Sequence, residues 1–364
     1  MEQRKRNYGI DILRIISMFF VIMLHSLGRG GVLNFYKSED TGYYVFWFFE
    51  TVAYCAVDIF GLISGYVGYT DEQKPFKMKN YVNIWLQTVF LGICTVAAFH
   101  IFQPDLVTGE DYLKSLFPVS NDLYWYLTAY TALYFFMPVL NGAVRSLDEK
   151  TVKKLLAVFF VVFCCYENLG RHFKFDRGYS FAWLALLYFA GAAIKKHGIG
   201  KDLQKRYCFI FIFLLTVLGW AFKMQGYGFE FQGLKFTDAT PVAYTSPFVL
   251  IAAALYLIAF SKIQIKGVLQ KLTALFAPGA FAVYIVNCHP LIWNHFMTFA
   301  FSPIRESHIV AILGAVLLFS VIFTVVCLIF DRLRTLLFKL LRISELIDKT
   351  SGLVKSLFSK IARS

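Results

Sequence analysis

The chain has 364 residues, of which 58% are hydrophobic and only 16% are charged. A soluble protein of this length needs a polar surface, so this balance argues against a soluble globular protein and indicates lipid as the main solvent. The net charge of +13 could suggest a nucleic-acid-binding protein, but the placement of the basic residues, described below, accounts for the charge without nucleic acid.

Ten apolar segments are candidates for membrane-spanning helices, each of which needs about 20 residues. They cover residues 9–28, 43–69, 81–102, 123–141, 153–167, 179–195, 207–224, 246–262, 274–299 and 307–330. The fifth segment is short. The predicted fold class is therefore all-α, a polytopic membrane protein with about ten transmembrane helices. An even number of spans places both termini on the same side of the membrane.

Basic residues cluster on one side of this topology. With the N-terminus in the cytoplasm, 26 of the 36 Lys and Arg residues lie in cytoplasmic segments, which is the positive-inside pattern. The basic tail has Leu and Ile at helical spacing and is predicted to lie on the lipid of the cytoplasmic leaflet as an amphipathic helix. We therefore divide the chain into a membrane domain, residues 1–331, and a cytoplasmic tail, residues 332–364.

The first span, GIDILRIISMFFVIMLHSLG, contains three ionisable residues. Arg14 and His25 are eleven residues apart, so they share one helix face and are separated by about 16 Å along the axis. Asp11 lies one turn before Arg14 and is suited to pair with it. Charges at membrane depth usually face a protein interior or a wet cavity. The alternative is that Arg14 extends to the headgroups and His25 satisfies a neighbouring carbonyl.

Polar and small residues in the next three spans provide further candidates. Asp58, near the middle of the second span, could orient a histidine or bind a hydroxyl, while Gly61 and Gly65 predict close helix packing. Lys79, at the start of the third span, could reach a phosphate or simply mark the membrane interface. Trp125, at the start of the fourth span, could stack on a sugar or belong to an interfacial aromatic belt.

Two later regions also bring polar residues together. The outer loop ENLGRHFKFDRG contains Glu167 and Arg171, which could bind a substrate or be only part of a solvated loop. Asn287 and His289 lie in the outer half of the ninth span. A lone histidine there would more often be structural, whereas several polar groups converging from different spans favour a site.

These motifs, in this order, resemble a known family. R-x10-H in the first span, VDIFGLISGY, LYWYLTAY, SFAWLALLYFAGAAIKK, SPFVLIAAALYLIAF and FAVYIVNCHPLIW are similar to the bacterial integral-membrane acyltransferases of the acyltransferase-3 family. The resemblance covers roughly residues 7–330. Two departures occur: KNYVN replaces the paired arginines of the third span, leaving Lys79 as the nearest cation, and the late Y-L-I-H reads YIVN, with His289 two residues further on.

The resemblance implies transfer of an acyl group, usually acetyl, from cytoplasmic acyl-CoA to hydroxyls of cell-surface glycans or lipid-linked sugars in the bacterial cell membrane. It implies that Arg14 contacts the donor and that His25 is catalytic, directly as a base or through an acyl-histidine. No metal is expected. We expect Asp58 to assist catalysis and Lys79 to assist donor binding. The expected acceptor-binding residues are Trp125, Glu167, Arg171, Asn287 and His289.

Two alternatives remain at this stage. A transporter or flippase for an anionic or lipid-linked substrate would also use intramembrane Arg and His, although duplicated halves with broken helices in matching positions are not evident. A non-catalytic membrane sensor or assembly subunit would tolerate His25→Ala, whereas an enzyme would lose turnover.

Overall fold

The computed structural model describes residues 6–73, 78–170, 173, 175–225, 229–231, 234–236, 240–345 and 347–348. The helices in these ranges are α1 (Tyr8–Leu27), α2 (Val32–Phe35), α3 (Thr41–Ala53), α4 (Ala56–Gly68), α5 (Met78–Phe102), α6 (Gly109–Leu116), α7 (Trp125–Ser146), α8 (Glu149–Phe160), α9 (Glu167–Gly170), α10 (Phe181–His197), α11 (Lys205–Met224), α12 (Pro247–Ser261), α13 (Gly267–Phe276), α14 (Ala280–Cys288) and α15 (Ile309–Leu340). Two π-helical segments, Val161–Tyr166 and Ile292–Met297, follow α8 and α14.

All ten predicted spans fall on helical chain. Seven helical stretches among the described residues are long and apolar enough to cross a membrane. The other three predicted spans correspond to shorter helices, namely α8 with 12 residues, α10 with 17 and α12 with 15. The helical, membrane-spanning character is thus confirmed, whereas the count of ten spans and the cytoplasmic placement of the termini stay predictions.

One short hairpin departs from the all-helical expectation. Strand β1 (Phe229–Phe231) pairs antiparallel with β2 (Leu234–Phe236), with Phe229 opposite Phe236. The hairpin lies in the connection between α11 and α12, outside the predicted spans. A three-residue strand pair has no periodic apolar signal long enough to be read from the sequence.

Apolar side chains cover the outer surfaces of several helices. On α11 the exposed ones are Tyr207, Phe209, Ile210, Phe211, Phe213, Leu214 and Leu218, and on α15 they are Val310, Leu318, Val321, Ile322, Val325, Val326, Ile329, Phe330, Leu333, Leu336, Leu337 and Leu340. Continuous apolar surfaces of this kind are unfavourable in water and are what the hydrocarbon core of a bilayer requires. They therefore support the membrane location.

The contact between α4 and α10 depends on glycine. A Cβ atom at Gly65 would lie 1.9 Å from the carbonyl oxygen of Tyr188, and one at Gly191 would lie 2.0 Å from that of Leu62. At Gly61 an added Cβ would lie 2.8 Å from the side chain of Leu187. The predicted packing role of the small residues in the second span is confirmed, because the two backbones approach too closely for a side chain.

Helix α1 is the central element of the fold. The Asn7 side chain caps it by accepting a hydrogen bond from the Ile10 amide at 3.2 Å, and its Nδ2 donates to the Ser261 carbonyl at 2.8 Å. The helix then packs against α3, α4, α12, α13, α14 and α15. Because neighbours surround it, its polar residues face protein rather than lipid.

The last helix runs across the predicted domain boundary. α15 continues without a break from Ile309 to Leu340. At the boundary, Asp331 is buried and accepts hydrogen bonds from Gln87 Nε2 and from Arg334 Nε, both at 2.7 Å. The beginning of the predicted tail is therefore part of this helix, and residues 349–364 lie outside the described part of the chain. The division at residue 331 stays a prediction.

Candidate active site

Two cavities lie along α1. A narrow space, which we call the neck, lies between them. The inner cavity, about 270 Å³, is lined by Arg14, Phe60, Ser64, Val67, Gly68, Ile84, Gln87, Tyr126, Tyr130, Met137, Pro278 and Phe281. The outer cavity, about 490 Å³, is lined by Leu24, His25, Gly28, Arg29, Glu50, Tyr54, Leu123, Tyr124, Trp125, Tyr179, Tyr244, Tyr284, Cys288, Pro290, Trp293 and Asn294. The neck, about 30 Å³, is lined by Met18, Val21, Leu24, His25, Val57, Phe60, Trp125, Tyr126, Tyr244, Phe281 and Tyr284.

The neck adjoins both cavities, because it shares wall residues with each of them. Phe60, Tyr126 and Phe281 also line the inner cavity, and His25 and Trp125 also line the outer one. Arg14 and His25 therefore stand at opposite ends of one interior path, as their shared helix face predicted.

Arg14 presents its guanidinium to the inner cavity. Its Nη1 lies 3.6 Å from Asp11 Oδ1, which confirms the predicted pairing within the helix. Asp11 also accepts a hydrogen bond from Arg6 Nε, so this carboxylate is shared between two guanidinium groups. A guanidinium has five N–H donors, and this single long contact leaves most of those of Arg14 available to an anionic ligand.

His25 is held by Asn287. Its Nδ1 forms a short hydrogen bond with Asn287 Oδ1, and its ring meets the edge of the Trp293 ring at a centroid distance of 4.8 Å. An amide oxygen only accepts, so Nδ1 carries the proton and the neutral ring keeps its lone pair on Nε2. Asn287, which lies at the end of α14 and is fully buried, therefore prepares His25 to accept a proton.

Asp58 has a different partner from the one that we expected. Its Oδ1 accepts a hydrogen bond from Trp183 Nε1 at 3.0 Å, and its buried Oδ2 has no hydrogen-bond partner among the described residues. Asp58 does not line the inner cavity, the neck or the outer cavity. The structure thus does not bring it to His25, because the second span turns this carboxylate toward α10 while Asn287 occupies the orienting position.

The chain also matches a known protein family. A family model described as an acyltransferase domain matches residues 7–331, which include both cavities and the neck. The chain belongs to the acyltransferase-3 family. No curated protein and no solved structure matches it. The resemblance drawn from the six motifs is confirmed, and the protein is a membrane acyltransferase.

Lys79 does not line the inner cavity of this acyltransferase. Its Nζ forms a 2.6 Å ion pair with Asp348, and both side chains are substantially exposed. Gln87, from the same helix α5, lines the inner cavity instead. The departure from the family's paired basic residues is therefore not compensated by Lys79 in this arrangement.

Trp125 lies where an acceptor could reach it, since it lines both the outer cavity and the neck. The sequence reasoning did not single out its neighbours Tyr54, Tyr179 and Tyr244, which come from different helices and loops. It also missed Glu50. The signal available for Glu50 was a carboxylate inside the apolar run FWFFETVAY, the same kind of signal that pointed to Arg14.

Another of the expected acceptor-binding residues, Glu167, has structural contacts instead. Glu167 is buried and accepts hydrogen bonds from the backbone amides of Phe173, at 2.7 Å, and Phe175, at 3.4 Å. It shapes the outer loop and does not line the outer cavity. Arg171 lies outside the described residues.

His289 also faces away from the outer cavity. Its Nδ1 accepts from the Leu291 amide at 3.3 Å, so its Nε2 carries the proton donated to Ser115 Oγ, also at 3.3 Å. Cys288 and Pro290, on either side of it, line the cavity whereas His289 does not. The chain turns at the end of α14 and directs the imidazole toward α6, so this arrangement does not bring His289 to the outer cavity, and its role in acceptor binding stays a prediction.

Proposed function

We propose that this acyltransferase is an O-acyltransferase of the bacterial cell membrane. It takes an acyl group, acetyl in particular, from cytoplasmic acyl-CoA and transfers it to a hydroxyl of an extracytoplasmic glycan or lipid-linked sugar. One observation carries the proposal: Arg14 and a base-ready His25 stand at opposite ends of one path through the protein.

The inner cavity suits the donor. Coenzyme A has several phosphates at one end and a thioester at the end of a long thin arm. A guanidinium stays charged in any environment and matches phosphate oxygens in pairs, so Arg14 would hold the phosphate end. The arm would then follow α1 over the roughly 16 Å that separates Arg14 from His25.

The neck must widen for the arm to pass. Its volume of about 30 Å³ is small, with room for only a few water molecules. The aromatic side chains of Phe60, Tyr126 and Phe281 form its inner wall, and changes in their rotamers would open it without moving a helix. Closed, the neck keeps water in the outer cavity away from the donor.

His25 would act as the general base. Its Nε2 takes the proton of the acceptor hydroxyl as the hydroxyl oxygen attacks the thioester carbonyl carbon. The tetrahedral intermediate then expels the CoA thiolate, and the imidazolium returns the proton to that sulfur. The products are an ester and CoA, with His25 restored. Direct acylation of His25, followed by transfer to the sugar, is the alternative route through the same residue.

Asn287 would also stabilise the intermediate. Its Nδ2 is buried and has no hydrogen-bond partner among the described residues, so this amide has a donor available for an oxyanion beside His25. Ser64 is less suited, because its hydroxyl donates to the Phe60 carbonyl at 2.9 Å and lines the inner cavity.

The test uses purified protein in nanodiscs. Calorimetry measures acetyl-CoA binding to the wild type, Arg14→Ala, His25→Ala and the control His100→Ala, whose ring is exposed at the end of α5. CoA release is followed with and without a mixture of methyl glycosides. We expect Arg14→Ala to lose binding, His25→Ala to bind but not to release CoA, and His100→Ala to match the wild type.

Absence of acyl-CoA binding to folded wild-type protein would contradict the proposal. The transporter reading would then take precedence, and uptake of an anionic or lipid-linked substrate would be measured instead. CoA release that persists in His25→Ala would remove the base from the mechanism while leaving the donor site in place.

A further inference from the structure

Glu50 is a buried carboxylate in the wall of the outer cavity. It lies on α3, only 8% of its surface is exposed, and its Oε2 has no hydrogen-bond partner among the described residues. A carboxylate removed from water costs several kcal/mol unless a partner replaces the lost hydration. The position therefore indicates a group that is satisfied when a ligand arrives.

The basic residue among those that line this cavity, Arg29, already has other partners. Arg29 lines the same cavity, but its Nη2 donates to Asn294 Oδ1 at 2.9 Å and its Nε to the Trp293 carbonyl at 3.3 Å. Its guanidinium also lies over the Trp293 ring, 5.5 Å from the centroid. These contacts hold Arg29 against the segment that follows α14 rather than against Glu50.

Aromatic rings extend from Glu50 along the cavity. Tyr54, one turn further along α3, lies 5.1 Å from the Tyr244 ring, and Tyr244 stacks on Trp125 at 6.1 Å with an interplanar angle of 19°. Tyr179 lies 4.7 Å from Trp125 and 4.9 Å from Tyr244. We call these four residues the aromatic wall. Their rings touch one another, so they form a continuous surface and not a cage around an empty volume.

We propose that Glu50 and the aromatic wall form the acceptor subsite, and that the ligand is a neutral sugar ring with free hydroxyls. The proposal rests on the function proposed above. The wall covers the apolar face of the sugar, and the Glu50 carboxyl group forms hydrogen bonds with its hydroxyls, which satisfy a polar group that is otherwise buried without a partner. A sugar hydroxyl that is not bound to Glu50 is then free to donate a hydrogen bond to His25 Nε2.

Two features favour a neutral sugar over a cationic ligand. An ammonium group is recognised by several ring faces pointing at one volume, whereas the rings here pack against each other. Arg29 in the same cavity would also repel a second cation. A sugar needs one broad apolar face and a few hydrogen-bond acceptors, which is what the wall and Glu50 supply.

The experiment measures binding of defined probes to the full-length protein in nanodiscs. The probes are the methyl glycosides of glucose, galactose and mannose, together with glucosamine and choline, and the signal is quenching of tryptophan fluorescence. The variants are Glu50→Gln, Tyr244→Ala and the control Glu39→Gln, which removes an exposed carboxylate on the predicted outer side. Acetyl-CoA binding is measured on every variant as an independent check.

We expect at least one neutral glycoside to bind the wild type. Glu50→Gln and Tyr244→Ala should weaken this binding by about fivefold or more, the effect of losing a hydrogen-bonding carboxyl group or a stacking surface, while Glu39→Gln leaves it unchanged. Acetyl-CoA affinity should stay at the wild-type value throughout. If Glu50→Gln does not fold, Glu50→Asp keeps the carboxyl group, withdraws it by one methylene and should show the same selective loss.

Three outcomes would overturn the subsite. In the first, the wild type binds acetyl-CoA but none of the glycosides. In the second, Glu50→Gln binds the glycosides as tightly as the wild type does. In the third, choline or glucosamine binds more tightly than the neutral glycosides, and Glu50→Gln abolishes this binding. The last outcome would make the acceptor cationic. Each differs from failure of the proposed function, which shows as loss of acetyl-CoA binding in the wild type itself.

Discussion

The inner and outer cavities adjoin the same face of α1 but differ in chemistry. The inner one is the smaller, at about 270 Å³, and its ionisable wall residues are Arg14 and two tyrosines. The outer one, at about 490 Å³, combines His25, Arg29 and Glu50 with rings. In the proposed function, one helix would thus offer a positive charge to the donor and a proton acceptor to the acceptor. Arg14 and His25 are eleven positions apart on this helix.

The narrow neck keeps the inner and outer cavities separate. A continuous wide channel would let water and ions cross the protein, whereas about 30 Å³ between Arg14 and His25 does not. Substitutions in the outer cavity should therefore change turnover, and substitutions in the inner cavity should change donor affinity. The following variants test that separation, from the largest expected effect to the smallest.

Asn287→Ala should have the largest effect on turnover. Without the amide oxygen, the His25 ring is free to rotate and to adopt the wrong tautomer, so we expect the rate of CoA release at saturating acetyl-CoA to fall about 100-fold. Acetyl-CoA affinity should not change. His289→Ala is the matched control from the same segment and should keep turnover within about twofold of the wild type while losing some stability. Equal losses in both variants would contradict the assignment.

Arg14→Lys should weaken the donor complex without slowing the saturated reaction. Lysine keeps the charge but loses the planar pair of donors, so we expect the acetyl-CoA Kd to rise about tenfold. Arg6→Lys is the control, because Arg6 shares Asp11 but does not line the inner cavity. Calorimetry measures the acetyl-CoA Kd of both variants. A Kd that rises equally in both variants would point to the shared Asp11 rather than to donor contact.

Trp183→Phe should lower stability without changing either ligand site. It removes the hydrogen-bond donor of the buried Asp58, which should reduce the free energy of unfolding by about 1–3 kcal/mol. Trp220→Phe is the control, since its Nε1 donates to the Tyr44 carbonyl in an exposed setting. Thermal unfolding in detergent compares the stability of the two variants with that of the wild type. Lost turnover in a Trp183→Phe protein of wild-type stability would return Asp58 to the catalytic site.

Lys79→Ala should have the smallest effect. An exposed ion pair such as that between Lys79 and Asp348 contributes about 0–1 kcal/mol, and Lys79 does not line the inner cavity. The acetyl-CoA Kd should change by no more than about twofold, within the range of such a surface pair. An increase approaching that of Arg14→Lys would show that Lys79 reaches the donor after all.

The placements predicted correctly are those that follow from the geometry of one helix. Arg14 and His25 are costly at membrane depth, and the helical repeat alone puts them on one face. The pairing of Asp11 with Arg14 follows from the same repeat. Gly61 and Gly65 were readable as packing positions because small residues at this spacing allow helices to approach.

The placements that the sequence did not predict depend on contacts between distant segments. Asp58 and Asn287 are both polar groups in apolar spans, and only the packing of α1 against α14 decides that Asn287 meets His25. His289 lies two residues from Asn287, yet the end of α14 turns it toward Ser115. The aromatic wall could not be assembled from the sequence, because its members are separated by up to 190 positions.

The sequence by itself determined that lipid is the main solvent and that the architecture is helical. It also determined the family and the two residues at the ends of the path. Hydrophobicity, helical periodicity and the high cost of intramembrane charge act locally, so they can be read along a single segment. Only the tertiary structure decided the partner of His25, the separation of two cavities by a neck and the gathering of Glu50 with four rings. Those features arise where helices from distant parts of the chain meet.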